Sequence, residues 1–312
     1  MNKPLVSVCC ITYNQEKYLE KCLESIHNQN VSFNYELVIS NDCSKDNTNV
    51  IIEKFKKKYP HIVKDVSPSK KLGMKNNFYY ALSCCSGDYI AYCEGDDYWT
   101  DEYKLEKQVH YLQQHPDIGM VFTKVDKFDE ERSKILGSFG HSLENVNDLL
   151  LGGNCIPTLS VLFKKEIFLN YISDVNPQKY DWLMCDYPFW LWINYSSKIA
   201  YMNFSSGIYR ILPESACHTD NIEKKMAFNE SYYNIRKFYS EKFNISIEAR
   251  DSIRELFNLY CKLLQKKCWD KDLRNNIRNL YKKLTKKRLH DIAYLVFTYI
   301  PVLLSCCKNL KK

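Results

Sequence analysis

The sequence predicts an α/β fold in which helices cover a mostly parallel sheet, and three observations predict it. Short apolar, β-branched runs alternate with segments of helical period over the first 125 residues, the pattern of strands that return to one sheet through helices. Residues 89–93 (Tyr-Ile-Ala-Tyr-Cys) form a continuous apolar run, as in a strand buried on both faces. Polar residues gather where such runs stop, at Thr12 to Asn14, Asn41 to Asp46 and Glu94 to Asp97. In open α/β sheets ligands bind beyond the carboxyl ends of the strands.

Taken in order, residues 5–11 read as the first strand, and Leu19, Cys22, Leu23 and Ile26 as the buried face of the helix after it. Residues 36–40 are a second strand. The polar loop 41–46 then leads to a helix with Val50, Ile51 and Phe55 on one face, capped by Asp46 or Asn47. A third strand at 62–66 passes through Pro68 and Gly73 to a helix carrying Phe78, Ala81, Leu82 and Cys85. Gly87-Asp88 turns the chain into the run at 89–93. Residues 104–115 repeat the helical spacing, 119–123 read as another strand, and 126–158 are less regular. Residues 159–163 return to the sheet, and Pro188 suits the first turn of a helix over 186–195. From Glu223 onward the pattern is helical and basic.

At 312 residues the chain can bury a sizeable core, and 45% hydrophobic with 26% charged residues excludes a disordered polymer. The net charge of +7 is unevenly spread: residues 222–312 hold 21 Lys+Arg against 9 Asp+Glu, leaving −5 on the rest. A basic module joined to a mildly acidic one suits an anionic surface or a solvated face. The fourteen cysteines include three adjacent pairs and no CxxC, which predicts buried, reduced thiols in a cytoplasmic chain.

Glu94-Gly95-Asp96-Asp97 places three carboxylates at the mouth of a strand, where ionised groups repel one another unless a cation lies among them. Mg²⁺ or Mn²⁺ is the expected partner, because both prefer oxygen ligands and Mg²⁺ is commonly shared between one or two carboxylates and substrate phosphates. Read alone, the segment could equally be a solvated acidic turn.

The surrounding residues add a resemblance. Val6-Ser7-Val8, Thr12-Tyr13-Asn14, the stretch from Glu36 through Asn41-Asp42-Cys43-Ser44 to Thr48, Gly73 with Asn77, and Gly87-Asp88-Tyr89-Ile90-Ala91 leading into Glu94-Gly95-Asp96-Asp97-Tyr98-Trp99 together resemble a family 2 glycosyltransferase of the GT-A fold, over roughly residues 4–215. The resemblance implies a catalytic domain over residues 1–221, with a nucleotide-sugar half (1–125) and an acceptor half (126–221), followed by a helical basic region over 222–312. It implies that Thr12, Asn14 and Asp42 lie at the nucleotide, with Glu36 nearby and Lys71 approaching the base. Asp96 is the implied metal ligand, Glu94 a second or a ribose contact, and Asp97 and Arg210 lie at the sugar diphosphate. The motif begins with Glu where Asp is usual.

The implied reaction is inverting transfer of a hexose or N-acetylhexosamine from a nucleotide diphosphate donor, UDP-linked by expectation, to a hydroxyl of a glycan or lipid-linked acceptor in polysaccharide synthesis. Asp186, in Cys185-Asp186-Tyr187-Pro188, is the candidate base, with Asp181 as the alternative; as a residue type, Asp186 also suits a helix N-cap. Arg210 could pair with the diphosphate or brace an acid. The family's histidine two residues on is Leu212 here, and His218 is the candidate substitute at the metal. The apolar stretch from Ile292 to Cys307, interrupted by Pro301, is too short to span a bilayer, and residues 282–312 read either as a peripheral anchor on the cytoplasmic face of a membrane or as a helix docked on the protein. A non-catalytic nucleotide-sugar-binding subunit is the alternative function. No recognisable nucleic-acid module surrounds the basic residues, so nucleic acid is not an expected partner.

Overall fold

The computed structural model describes residues 3–144, 147–212, 221–245, 250–267, 269–284 and 287–299. The chain divides into two compact units, Met1–Leu212 and Pro213–Lys312.

The first unit is an α/β layer structure. β1 (Val6–Thr12), α1 (Leu19–His27), β2 (Tyr35–Asn41), α2 (Thr48–Lys58), β3 (Val63–Asp65), α3 (Met74–Ser83) and β4 (Tyr89–Tyr92) alternate strictly. β5 (Tyr98–Trp99), α4 (Lys104–Gln114), β6 (Ile118–Asp129), β7 (Lys134–Phe139), α5 (Asp148–Gly152), β8 (Leu162–Lys164), α6 (Lys165–Val175), α7 (Asp186–Ser196) and β9 (Lys198–Ile211) follow. The sheet order is β3-β2-β1-β4-β8-β6-β9-β5, with β7 added to β6. β3, β2, β1 and β4 run parallel to one another, which brings the ends of β1, β2 and β4 to one edge. Antiparallel pairing enters with β8, which lies between β4 and β6.

Hydrophobic period explains the packing. Leu19, Cys22, Leu23 and Ile26 of α1 are fully buried in a core with Val8, Cys10, Leu37, Ile39 and Cys93. Full burial of one such aliphatic side chain contributes about 1.5–3 kcal/mol. Asp46 starts α2 by accepting from Thr48 N (3.0 Å), although Asn47 occupies the capping position itself. The expected strand at 159–163 is instead a 3₁₀ turn, Thr158–Ser160, followed by β8, and β6 runs well past the expected 119–123. The described cysteines are free.

The second unit holds α8 (Ile222–Phe243), α9 (Arg250–Lys266), α10 (Lys271–Lys283) and α11 (Leu289–Tyr299). Asn221 accepts from Glu223 N and Lys224 N to start α8, and Asp270 accepts from Leu273 N to start α10. Leu256, Phe257, Leu264, Leu273 and Ile277 form its core. Among the described residues no helix is long and apolar enough to cross a membrane.

Candidate active site

The site is built where β1, β2 and β4 end together. Thr12 pairs with Asn41 in the β1–β2 register, and Cys93 N and Gly95 N continue the β4 ladder onto Cys9 O (3.1 Å) and Ile11 O (3.1 Å). Gly95 is required by this close approach: a Cβ there would stand 2.8 Å from Thr12 Oγ1 and 2.6 Å from Gln15 Oε1. The acidic motif is thereby pressed against the first loop.

Each carboxylate of the motif has a different environment. Burial pushes the Glu94 carboxyl well up, the charge of Asp96 adds to this, and Asp186 contributes in the same direction. Among the described residues its buried Oε2 has no hydrogen-bond partner. Burial likewise raises Asp96, opposed by Arg210 and by a hydrogen bond from Gln15. Asp97 is raised by burial and by its acidic neighbours, yet its Oδ1 accepts from Arg210 N at 2.8 Å. Arg210 also donates to the Asp96 carbonyl, stands 3.2 Å from Glu130 Oε2 and covers the Tyr98 ring at 4.6 Å. In the folded chain the Arg210 guanidinium thus lies between the Asp96 carbonyl and the Glu130 carboxylate.

Asp186 is the first residue of α7. Its Oδ2 accepts from Asn154 Nδ2 (3.0 Å) and Thr158 Oγ1 (3.3 Å). Burial raises its carboxyl, and hydrogen bonds from Tyr187 N and these two side chains work against the rise. Asp181 is exposed, on a segment whose Tyr180 carbonyl accepts from Lys75 Nζ (2.7 Å).

On the nucleotide side, Asp42 is buried and both its oxygens are engaged, Oδ1 by Leu72 N (2.6 Å) and Oδ2 by Gly73 N (3.0 Å). It therefore shapes the loop that carries Lys71. Lys71 Nζ lies 3.6 Å from the Tyr13 ring centroid and closes that loop over the first one. Asn14, in the left-handed region at φ 52°, accepts from Lys45 N (2.8 Å) and donates its own N–H to Ser44 Oγ (2.8 Å), which locks the first two loops together.

Glu36 corrects the expectation. It pairs with Ser7, five residues before Asn41, so at roughly 3.3 Å per residue it lies about 16 Å from the carboxyl edge. There it accepts from Ser7 Oγ (2.5 Å), Ser86 N (2.6 Å) and Ser86 Oγ (2.8 Å), and it lines a cavity of about 640 Å³ with Lys3, His61 and Lys64. It is a structural carboxylate at the opposite end of the sheet. His218 lies outside the described residues. Gln15, Glu130, Asn154 and Thr158 were not singled out by sequence reasoning, since uncharged or loop residues joined only by folding carry no spacing signal. Among the described residues no three His, Cys, Asp or Glu side chains are grouped as a ready metal cage.

The comparisons agree with this architecture. Residues 7–168 match the family model described as glycosyl transferase family 2. An uncharacterized protein of Mycobacterium tuberculosis is 34% identical over 181 residues, 57% of this chain and 52% of that protein, so the chain spans about half the length of that curated relative. An uncharacterized glycosyltransferase of Methanocaldococcus jannaschii is 29% identical over 254 residues, covering 78% of this chain and 82% of its own. The amylovoran biosynthesis glycosyltransferase AmsE of Erwinia amylovora is 25% identical over 189 residues, 60% of this chain and 68% of AmsE. Two solved structures share the fold. They are S. aureus TarS in complex with UDP (TM-score 0.50, 17% identity, 87% of this chain and 83% of that one) and the mannosyltransferase PcManGT of Pyrobaculum calidifontis in complex with GDP-Man and Mn²⁺ (TM-score 0.54, 14% identity, 97% and 81%). With more than half its length matched by the family model, and with the GT-A arrangement of sheet and helices beneath the acidic motif, the chain belongs to glycosyl transferase family 2.

Proposed function

We propose that this protein transfers a hexose or N-acetylhexosamine from a nucleoside diphosphate donor, UDP-linked by preference, to a hydroxyl of a glycan or lipid-linked acceptor, with inversion. The observation that carries the reading is the buried, under-neutralised acid cluster at the end of β4, in which Glu94 Oε2 has no partner and Glu94 feels the charges of both Asp96 and Asp186. An uncompensated buried carboxylate persists where function repays its cost. Family membership, and a relative named for amylovoran biosynthesis, support placing the reaction in polysaccharide synthesis.

The donor set suits a hard divalent cation. Asp96, with Glu94 as second ligand, would hold Mn²⁺ or Mg²⁺, while Asp97 is already committed to Arg210 N. With so few protein ligands, such a cation would need further oxygens, which a donor diphosphate could supply, so cation and donor would bind together. When bound, the cation neutralises charge on the departing diphosphate. Asp186 takes the proton of the acceptor hydroxyl as that oxygen attacks the anomeric carbon; the bond from that carbon to the diphosphate breaks and its electron pair leaves with the nucleoside diphosphate. Thr12, Asn14, Asp42 and Lys71 shape the two loops that receive base and ribose. Isothermal titration of UDP-GlcNAc, UDP-glucose and GDP-mannose with and without Mn²⁺ tests the reading. Binding that needs Mn²⁺ and vanishes in Asp96→Asn is expected, and equal affinity in the variant removes Asp96 from the site.

The proposal extends to location. Leu289, Ile292, Val296 and Tyr299 recur at helical spacing along α11 and are 87, 44, 40 and 63% exposed, with exposed Lys287 and Arg288 at the helix start. An apolar stripe beside cations suits an anionic lipid surface on the cytoplasmic side. Vesicles containing phosphatidylserine should sediment the protein and neutral phosphatidylcholine vesicles should not. Loss of sedimentation in Val296→Glu supports the stripe, and unchanged sedimentation rejects it.

A further inference from the structure

Resting on the reading of Asp186 as the base, we propose that Asn154 and Thr158 are positioning residues that hold the Asp186 carboxylate in the orientation needed to accept the acceptor's proton. Both of their side-chain donors fall on one oxygen, Oδ2, at 3.0 and 3.3 Å. Among the described residues no side chain donates to Oδ1; the side-chain bracket holds one oxygen, and the backbone N–H groups of Asp186 and Tyr187 add to the hold on the carboxylate.

The bracket is itself rigid. Asn154 Oδ1 accepts from Ile156 N (3.1 Å), which fixes the amide so that its Nδ2 must face Asp186. Gly153, at φ 97°, makes the turn that delivers Asn154 to this position. Thr158 opens the 3₁₀ turn Thr158–Ser160, whose carbonyls are held from behind: Trp99 Nε1 donates to Leu159 O (2.8 Å) and Gln108 Nε2 to Ser160 O (2.7 Å), all in buried surroundings. A side-chain torsion of Asp186 that would otherwise be free is thus set by residues on α4, β5 and the segment before β8. Holding a reacting group in this way is worth orders of magnitude in rate, and a displacement of about 1 Å can cost a hundredfold.

The test is a double-mutant cycle between Asn154→Ala and Asp186→Asn, read in Mn²⁺-dependent turnover of the nucleotide sugar that binds best, with UDP affinity measured alongside. Asn154→Ala should lower kcat roughly ten- to a hundredfold with UDP affinity and KM for the donor unchanged, and should have no further effect once Asp186 is Asn. Thr158→Val should do the same to a smaller degree, and Thr158→Ser should restore the rate. A collapse in Asp186→Asn without any loss in Asn154→Ala overturns the positioning role alone; near-normal turnover in Asp186→Asn overturns the base itself. Crystal structures give a readout independent of turnover: Asp186 should leave its rotamer in Asn154→Ala, and an unmoved carboxylate rejects the proposal.

Discussion

Two buried carboxylates in this chain meet opposite fates. Asp291, at the start of α11, is fully buried but neutralised: Arg254 Nη1 lies 2.6 Å from Oδ2, Arg288 N donates to the same oxygen at 2.7 Å, and His290 Nε2 lies 3.0 Å from Oδ1. Burial pushes its carboxyl up, but Arg254 and Arg288 bring it below the usual range. Glu94, at the end of β4, has Asp96 and Asp186 for charged neighbours, and its carboxyl is driven well up; among the described residues Glu94 Oε2 and Asp291 Oδ1 alike accept no hydrogen bond, so the difference lies in the neighbouring cation. A buried acid with its cation holds the fold together, whereas a buried acid lacking one marks a place where something else must bind.

The sharpest way to break the comparison is through Asp186, the proposed base, whose charge adds to that of the cluster. Asp186→Asn should lower turnover by about 10²- to 10⁴-fold while UDP binding in Mn²⁺ persists, as followed by donor consumption and titration calorimetry. Next comes Asp291→Asn, which leaves Arg254 largely buried without its counter-ion and should destabilise the second unit by roughly 3 kcal/mol in urea unfolding. Glu94→Gln should act with the opposite sign.

The sign for Glu94 follows from its raised value. A carboxyl whose folded value lies above its unfolded one favours folding at low pH, and that contribution is lost as pH rises from the unfolded value of roughly 4.3 through the folded value. Glu94→Gln should therefore match the wild type near pH 4 and gain stability progressively above it. Thermal unfolding across that range checks this, and saturating Mn²⁺ with UDP should narrow the gap. The smallest effect belongs to the rim of α11, where Lys287→Gln should weaken binding to phosphatidylserine vesicles by about 1 kcal/mol, about fivefold in the partition constant.

The same contrast explains how much was legible in advance. Strand ends were readable because buried parallel strands announce themselves as apolar runs and the polar residues after them stand out; Thr12, Asp42 and Glu94 to Asp97 were located in this way. Asp186 was proposed as the base from resemblance, and its expected place at the head of a helix agrees with its position as the first residue of α7. Glu36 misled because a carboxylate near a motif in sequence can lie at the wrong end of its strand: position along the strand, and not proximity to Asn41 in the chain, decides which edge it reaches.

From sequence alone came the alternation of strands and helices, the edge where chemistry gathers and the basic second unit, because period and composition are local properties that each segment carries with it. Tertiary structure alone decided that Arg210 serves Asp97 and Glu130, that Asn154 and Thr158 converge on Asp186 from 32 and 28 residues away, and that Glu94 Oε2 accepts no hydrogen bond among the described residues. Those outcomes depend on which loops the sheet brings together, and the electrostatics of a buried charge are set by neighbours in space, which no spacing along the chain encodes.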